Sequence, residues 1–402
     1  MDAVCFHHGT FEFEFDLDLA SPTSSVMMMR RLDLIHGLIS FRFQYHYYRA
    51  YSVYNIIRVF VSAYVWMTGF GNFLYFEKKQ DFSLDRAVSM WLRINYFPLL
   101  LSFGLNVSLE SYYVVPLHTA GFFITMATCF VAKVLKNRGW EDYWQRNGAA
   151  IALCLLVHVI FYETPLVNSL KFFSDEYHFR FQSDKYTAFV GILSGFFWTK
   201  LKLYMQWCYA GERTQTHAMW AQRVGGVALI YIWWALFGHI NDKFTYNPIH
   251  PYCFWLPVAG WLMIRNSSKY LCELHSEALE FLGKITLETY VLQFHVFMNH
   301  NVKHIPVIIP GSGPEGPWFL KFVNMLLCGS GFVGLAWLAR KITVSTQNSV
   351  TDLMDEIRGK GKHALLAPAS GDGELKSFVS NDANLKHKAS EDVRAIDEAS
   401  KV

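Results

Sequence analysis

Three stretches of an otherwise apolar chain hold side chains able to move a proton or steady a negative charge. In "SDEYHFRFQSDKY", His178, Arg180 and Asp184 fall within seven residues of one another. A histidine titrates near neutrality and suits a general base, a nearby carboxylate can orient it, and an arginine between them can hold an anion. In "TYNPIHPY", Tyr246, Asn247, His250 and Tyr252 stand close together, and "GKITLETYVLQFHVFM" carries Lys284, Glu288 and His295. If that last stretch is one helix, its three titratable side chains point in directions that agree within about 40°. Two shorter pieces add to the set: "YNIIR" places Asn55 and Arg58 three apart on one helical face, and "PLHT" carries Pro116 and His118. Moving an acyl group onto a hydroxyl needs a base for the hydroxyl proton and donors that hold the carbonyl oxygen as it becomes an oxyanion. On this reading His178, oriented by Asp184, is the first candidate base, with His118 and His295 as rivals. Glu288 orients or relays protons, and Asn55, Arg58, Arg180, Asn247 and His250 hold substrate or developing charge.

Each of these residues also has a structural reading. Loop histidines and arginines sit readily among lipid headgroups, Arg58 can snorkel to the interface, and Lys284 can simply pair with Glu288. For Asn106, Pro116 and Pro165 the structural reading is the better one. Convergence of so many polar groups raises the functional reading above its members taken singly. Asp175 to His178 fits a DxxH pattern, but that spacing is loose and no nucleophilic serine motif accompanies it. The sequence contains no Gly-rich phosphate loop, HExxH or GxSxG, and its seven cysteines lack metal-like spacing. No bound metal or cofactor is expected, and the cysteines read as free packing residues.

The elements that must position these residues are membrane helices. Of the 402 residues, 52% are hydrophobic and only 17% charged, against about 25% charged in a soluble domain. A net charge of +3, with no basic stripe interleaved with aromatics, excludes a nucleic-acid partner. A crossing needs about 20 apolar residues, and nine stretches approach this: roughly 56–76, 88–107, 112–135, 147–168, 185–206, 219–240, 252–266, 275–299 and 318–340. The expected fold is an all-α, polytopic transmembrane bundle of about nine spans over 34–344. A disordered N-terminal segment (1–33) precedes it and a mostly disordered cytosolic tail (345–402) follows, in which "SVTDLMDEIRGKGKH" can form one short helix. Segment 34–52 is amphipathic and reads as interfacial or a poor span. The acidic start "FEFEFDLDLA" is not a signal peptide, so targeting falls to the first membrane helix.

Loops after odd spans hold twelve Lys and Arg before the tail is counted, against five after even spans, which makes the odd loops cytoplasmic. The sequon Asn106-Val107-Ser108 then lies on the lumenal side, where glycosylation occurs. Arg30, Arg31, Arg42 and Arg49 run against that orientation. Under it, most of the chemically able residues gather at the lumenal face.

The blocks "YNIIRVFVSAYVWMTGFGNFLYFEKKQDFSLDRAVSMWLRIN", "PLHT", "EYHFRFQSDKY", "TYNPIHPY" and "LGKITLETYVLQFHVF", in this order over about 35–345, resemble the ten-span acyltransferase domain of the sialate and capsular polysaccharide O-acetyltransferases. They look closest to the plant and algal reduced-wall-acetylation branch. The resemblance implies a multi-pass Golgi protein that takes acetyl groups from cytosolic acetyl-CoA and delivers them to glycan or polysaccharide hydroxyls in the lumen. In fuller members a lumenal esterase-like domain with a GDS serine precedes the bundle. This sequence carries none, so a separate esterase-like acetyltransferase is an expected partner beside membrane lipid. The blocks point to Asn55, Arg58, His118, His178, Arg180, Asp184, His250, Glu288 and His295. Two rivals stay open: a transporter of an acetyl donor without covalent chemistry, and a non-catalytic membrane anchor for a soluble transferase.

Overall fold

A computed structural model describes residues 53–209, 213–274, 276–297, 306–313 and 315–357. The expectations for 1–33 and 34–52, and for the tail beyond Ile357, lie outside those residues. The first four helices are α1 (Tyr54–Lys79), α2 (Leu84–Leu105), α3 (Val114–Asn137) and α4 (Tyr143–Tyr162). The starts of α2 and α4 are written in the sequence: the Ser83 side chain accepts from the backbone N–H of Arg86, and Asp142 accepts from Gln145, each satisfying a donor that a helix start leaves open. A 3-10 turn at Leu109–Tyr112 joins α2 to α3, and a longer one at Pro165–Phe172 follows α4. Then come α5 (Asp175–Ser183), α6 (Thr187–Phe196), α7 (Trp198–Cys208) and α8 (Arg213–Trp233), which ends in a π turn at Trp234–Gly238. The series closes with α9 (Lys243–Cys253), α10 (Trp255–Arg265), α11 (Lys269–Glu273), α12 (Glu277–Lys284), α13 (Thr286–Val296) and α14 (Trp318–Ile357).

Helices α1, α3, α4 and α14 are each long and apolar enough to cross a membrane. Three other expected spans are helical but interrupted. The stretch 185–206 breaks at Phe197, 252–266 falls on parts of α9 and α10 around Phe254, and 275–299 divides into α12 and α13 at Ile285. That last break corrects the single-helix reading of Lys284, Glu288 and His295: a phase of 100° per residue does not carry across it, and Lys284 is exposed and ion-paired with Glu280 at 3.6 Å. The last expected span continues as one helix to Ile357, where a separate short helix was expected. By its contacts the chain divides into 1–348, which holds the bundle, and 349–402, whose described residues, 349–357, are the end of α14.

Helix α1 is the central post. In its most apolar stretch 67% of residues are buried by protein, against 28% in α4 and α14, whose outer faces leave Leu153, Leu156, Val157, Leu335 and Leu338 exposed. One apolar core on α1 gathers Val61, Phe73, Ile94, Phe122 and Ile192; a second gathers Trp66, Phe70, Trp198, Tyr246 and Phe254. Lipid is as apolar as these side chains, so close packing rather than the hydrophobic effect holds the helices together. The tightest contact is between α1 and α6. A methyl on Gly69 would collide with the carbonyl of Ala188, and one on Gly191 with that of Trp66. Backbone against backbone, α6 draws the residues just before it onto the start of α1.

Candidate active site

The α1–α6 contact places Asp184 beside Arg58. Arg58 Nη2 donates to Asp184 Oδ2 at 2.9 Å, and both are buried. One turn deeper on α1, Ser62 Oγ donates to Asp184 Oδ1 at 2.5 Å. Ser62 Oγ is also 2.7 Å from His250 Nε2, and His250 Nδ1 is 2.9 Å from Tyr246 Oη. With His250 neutral, these contacts set the proton positions. Asp184, paired with a guanidinium, can only accept, so the single Ser62 proton goes to it and His250 carries its own proton on Nε2. Nδ1 then accepts from Tyr246. The result is a chain of hydrogen bonds, Tyr246 to His250 to Ser62 to Asp184, ending on Arg58, with every member at most 3% exposed.

Helix α9 delivers His250 because Asp242 caps its start, accepting from the N–H groups of Phe244 and Thr245. Pro248 and Pro251 lie inside it, and each removes a helical N–H, leaving the carbonyls of Phe244 and Asn247 without their usual donors. Non-helical or broken backbone at membrane depth is tolerated where it lies inside the protein. Asn247 exchanges hydrogen bonds with Tyr54 at 3.0 and 3.1 Å, and the Asn55 amide donates to the carbonyls of Phe237, Gly238 and Ile240, where α8 unwinds. Asn55, Arg58, Asp184, Asn247 and His250, scattered over almost 200 residues of sequence, thus meet around the first turns of α1.

His118 on α3 faces the same helix deeper in. Its Nδ1 is 2.5 Å from Thr68 Oγ1, and its ring packs edge-on against Tyr64 at 4.1 Å between centroids. Among the buried polar atoms with no hydrogen-bond partner among the described residues are Nε2 of His118 and Nε and Nη1 of Arg58, beside Oδ1 of Asn72 and Oγ1 of Thr187. Unsatisfied buried polar atoms are few in folded proteins, and each calls for an explanation.

Helix α13 carries the rest of the expected set. Glu288, fully buried, receives Arg93 of α2 at 2.6 Å, with a second, longer contact at 3.5 Å. Its partner is therefore Arg93, not Lys284. Arg93 is the functional candidate that sequence reasoning missed, although it stands in the middle of an apolar span in "WLRIN", where a cation needs a partner. His295, seven residues on, meets the hydroxyl of Tyr112 through Nε2. Ser62 was passed over as well, because nothing in a lone serine sets it apart from packing.

Three expected residues sit at the periphery. His178 lies on α5, partly exposed, and does not receive Asp184, whose carboxylate is taken by Arg58 and Ser62. Partial burial and the positive charge of Lys171 hold the His178 ring below its ordinary titration range. Arg180 bonds Glu176 at 2.7 Å and stacks on Tyr113 at 4.0 Å. Asn106 is the exposed C-cap of α2, in the left-handed conformation with φ 51°.

Comparison with known sequences fixes the family. Residues 45–354 match the 10 TM acyl transferase domain found in Cas1p. The chain belongs to that family. As an acyltransferase domain of this kind it is a multi-pass membrane protein, in keeping with its apolar helices. It is also 28% identical over 284 residues to an N-acetylneuraminate (7)9-O-acetyltransferase of Danio rerio, an alignment that covers 65% of this chain and 35% of that protein. The chain thus spans about a third of the length of the curated relative it matches. No solved structure matches the acyltransferase chain.

Proposed function

We propose that this acyltransferase domain moves acetyl groups from acetyl-CoA, presented on the cytosolic side, to sugar hydroxyls at the Golgi lumenal face, where α1 begins. The observation that carries the reading is a set of open valences along α1 in the interior: an imidazole nitrogen on His118 and two guanidinium nitrogens on Arg58. When Nδ1–H of His118 donates to Thr68, Nε2 holds a lone pair. That nitrogen takes the proton of the attacking hydroxyl as the new ester C–O bond forms and the thioester C–S bond breaks, and then returns the proton to the departing thiolate. Alternatively it holds the acetyl group itself between donor and acceptor, releasing it when the hydroxyl attacks. Arg58 N–H groups stabilise the carbonyl oxygen as it gains charge. Asp184, Ser62 and His250 hold Arg58 in place, and Arg93–Glu288 ties α2 to α13. His118 thereby becomes the first candidate base ahead of His178.

The test is sealed vesicles bearing the chain, supplied outside with radiolabelled acetyl-CoA. Label on lumenal glycan or on the protein, lost in His118→Ala and retained in His178→Ala, is the expected result. Label on the protein that reaches glycan only when an esterase-like transferase is added identifies a carrier feeding that partner. Full labelling in His118→Ala overturns the assignment.

A further inference from the structure

Asp184 points into the bundle; the two residues after it sit at the bundle's rim. Lys185 Nζ donates to Glu163 Oε1 at 2.7 Å, and the hydroxyls of Tyr186 and Tyr252 donate to the same oxygen at 2.8 and 2.9 Å. Three separate elements meet in this contact: the C-cap of α4, the turn before α6 and the end of α9. The Tyr186 and Tyr252 rings lie 5.8 Å apart at 48°, with Lys185 Nζ 4.7 Å from the Tyr252 centroid. Tyr252 is 52% exposed and the Glu163 side chain 39%. Tyr252 is two residues from His250, and Lys185 adjoins Asp184, so the cluster borders the buried chain.

A purely structural tie among three elements needs only two hydrogen bonds. Three donors converging on Oε1 do something further: they immobilise the carboxylate, and among the described residues no donor takes Oε2. A fixed acceptor oxygen on a part-exposed carboxylate, flanked by the exposed ring of Tyr252 and the half-buried ring of Tyr186, matches the surface of a pyranose. Such a ring offers an apolar C–H face to an aromatic side chain and an edge of hydroxyls to acceptors and donors. Charge narrows the class. The one cation of the cluster is already paired with Glu163, so the carboxylate of an acidic sugar would meet Glu163 with no cation left over to offset it.

We propose that Glu163, Lys185, Tyr186 and Tyr252 form an acceptor subsite for the pyranose ring of an uncharged sugar. The assignment rests on the acetyl-transfer reading for its purpose, yet it is tested by binding alone. Saturation-transfer NMR on the full chain in lipid nanodiscs, with methyl β-xylopyranoside and the methyl glycoside of N-acetylneuraminate as probes, reads it directly. The expected result is transfer to the neutral sugar that falls about five-fold in Tyr252→Ala and is kept in Tyr252→Phe, with a weaker signal from the acidic probe in the wild type. Glu163→Gln removes the charge and keeps an acceptor oxygen, so it raises the acidic probe relative to the neutral one. Equal signals in wild type and Tyr252→Ala, no signal in either, or preference of the wild type for the acidic sugar overturns the proposal. Vesicles that fail to take up acetyl label while the neutral sugar still binds refute the transfer reading and leave the subsite standing.

Discussion

Two arginine–carboxylate pairs lie buried in this bundle, and they are built differently. Arg93 meets Glu288 through two nitrogens and both carboxylate oxygens, at 2.6 and 3.5 Å, tying α2 to α13. Arg58 spends one nitrogen on Asp184, whose other oxygen takes Ser62, and the hydrogen bonds run on to His250 and Tyr246. The first pair has its strongest groups matched to each other; the second keeps two guanidinium N–H groups open inside the protein. Each charge placed in a membrane helix costs at least about 2.5 kcal/mol on insertion scales, so both pairs must serve something. The difference teaches which does what: a saturated pair positions helices, and an unsaturated one is able to receive a ligand.

Deleting one partner should hurt both. Asp184→Ala leaves Arg58 buried and unpaired, and unfolding in detergent should show a loss of about 3–5 kcal/mol, with Glu288→Ala close behind. Replacing whole pairs separates them. Arg93→Met with Glu288→Leu should return stability to within about 1 kcal/mol of wild type, because a self-contained pair can be exchanged for packed apolar groups. Arg58→Met with Asp184→Leu should stay about 1–3 kcal/mol below wild type, since Ser62 and His250 lose their partner. Recovery of both double variants to the same level would erase the distinction. Gly191→Ala should cost about 1–3 kcal/mol through overpacking and weaken the Arg58 pair while leaving Arg93–Glu288 intact, which a double-mutant cycle across each pair would read. The smallest effect is in pH. The hydrogen bond from Lys185, with those of Tyr186 and Tyr252, holds Glu163 below the ordinary glutamate range. A carboxylate depressed in the folded state stabilises above its unfolded pKa, and that gain is lost as pH falls through the lower folded value. Thermal stability should therefore decline at acid pH less steeply in Glu163→Gln than in wild type.

Much of the architecture was legible in the sequence. Apolar runs marked where most helices lie, but the starts capped by Ser83, Asp142, Ser174 and Asp242 did not stand out, and α5 and most of α9 fall in polar stretches that read as loops. The breaks at Phe197, Phe254 and Ile285 were not legible, because hydropathy averages over them and no glycine or proline stands at the break itself. The candidate site was legible as a set of residues and not as partnerships. Arg58, Asp184 and His250 were picked out by type and place, but their separation in sequence hides the contact, and the nearer His178 looked the natural partner of Asp184. What decides between them is the close approach of α1 and α6, which depends on Gly69 and Gly191 being small and facing each other.

That seam also governs how the protein can work as a machine. With Gly69 lying on the carbonyl of Ala188, and Gly191 on that of Trp66, no side chains separate the two helices, so neither can slide or roll without backbone striking backbone. Packed interiors shift between discrete arrangements rather than deforming smoothly. The pair α1–α6 is therefore a stator, carrying Arg58 and Asp184 at a fixed spacing through any working cycle. Whatever moves to admit substrates must be drawn from the broken helices around it, and α9 with its two prolines and the α12–α13 joint are the parts jointed for the task.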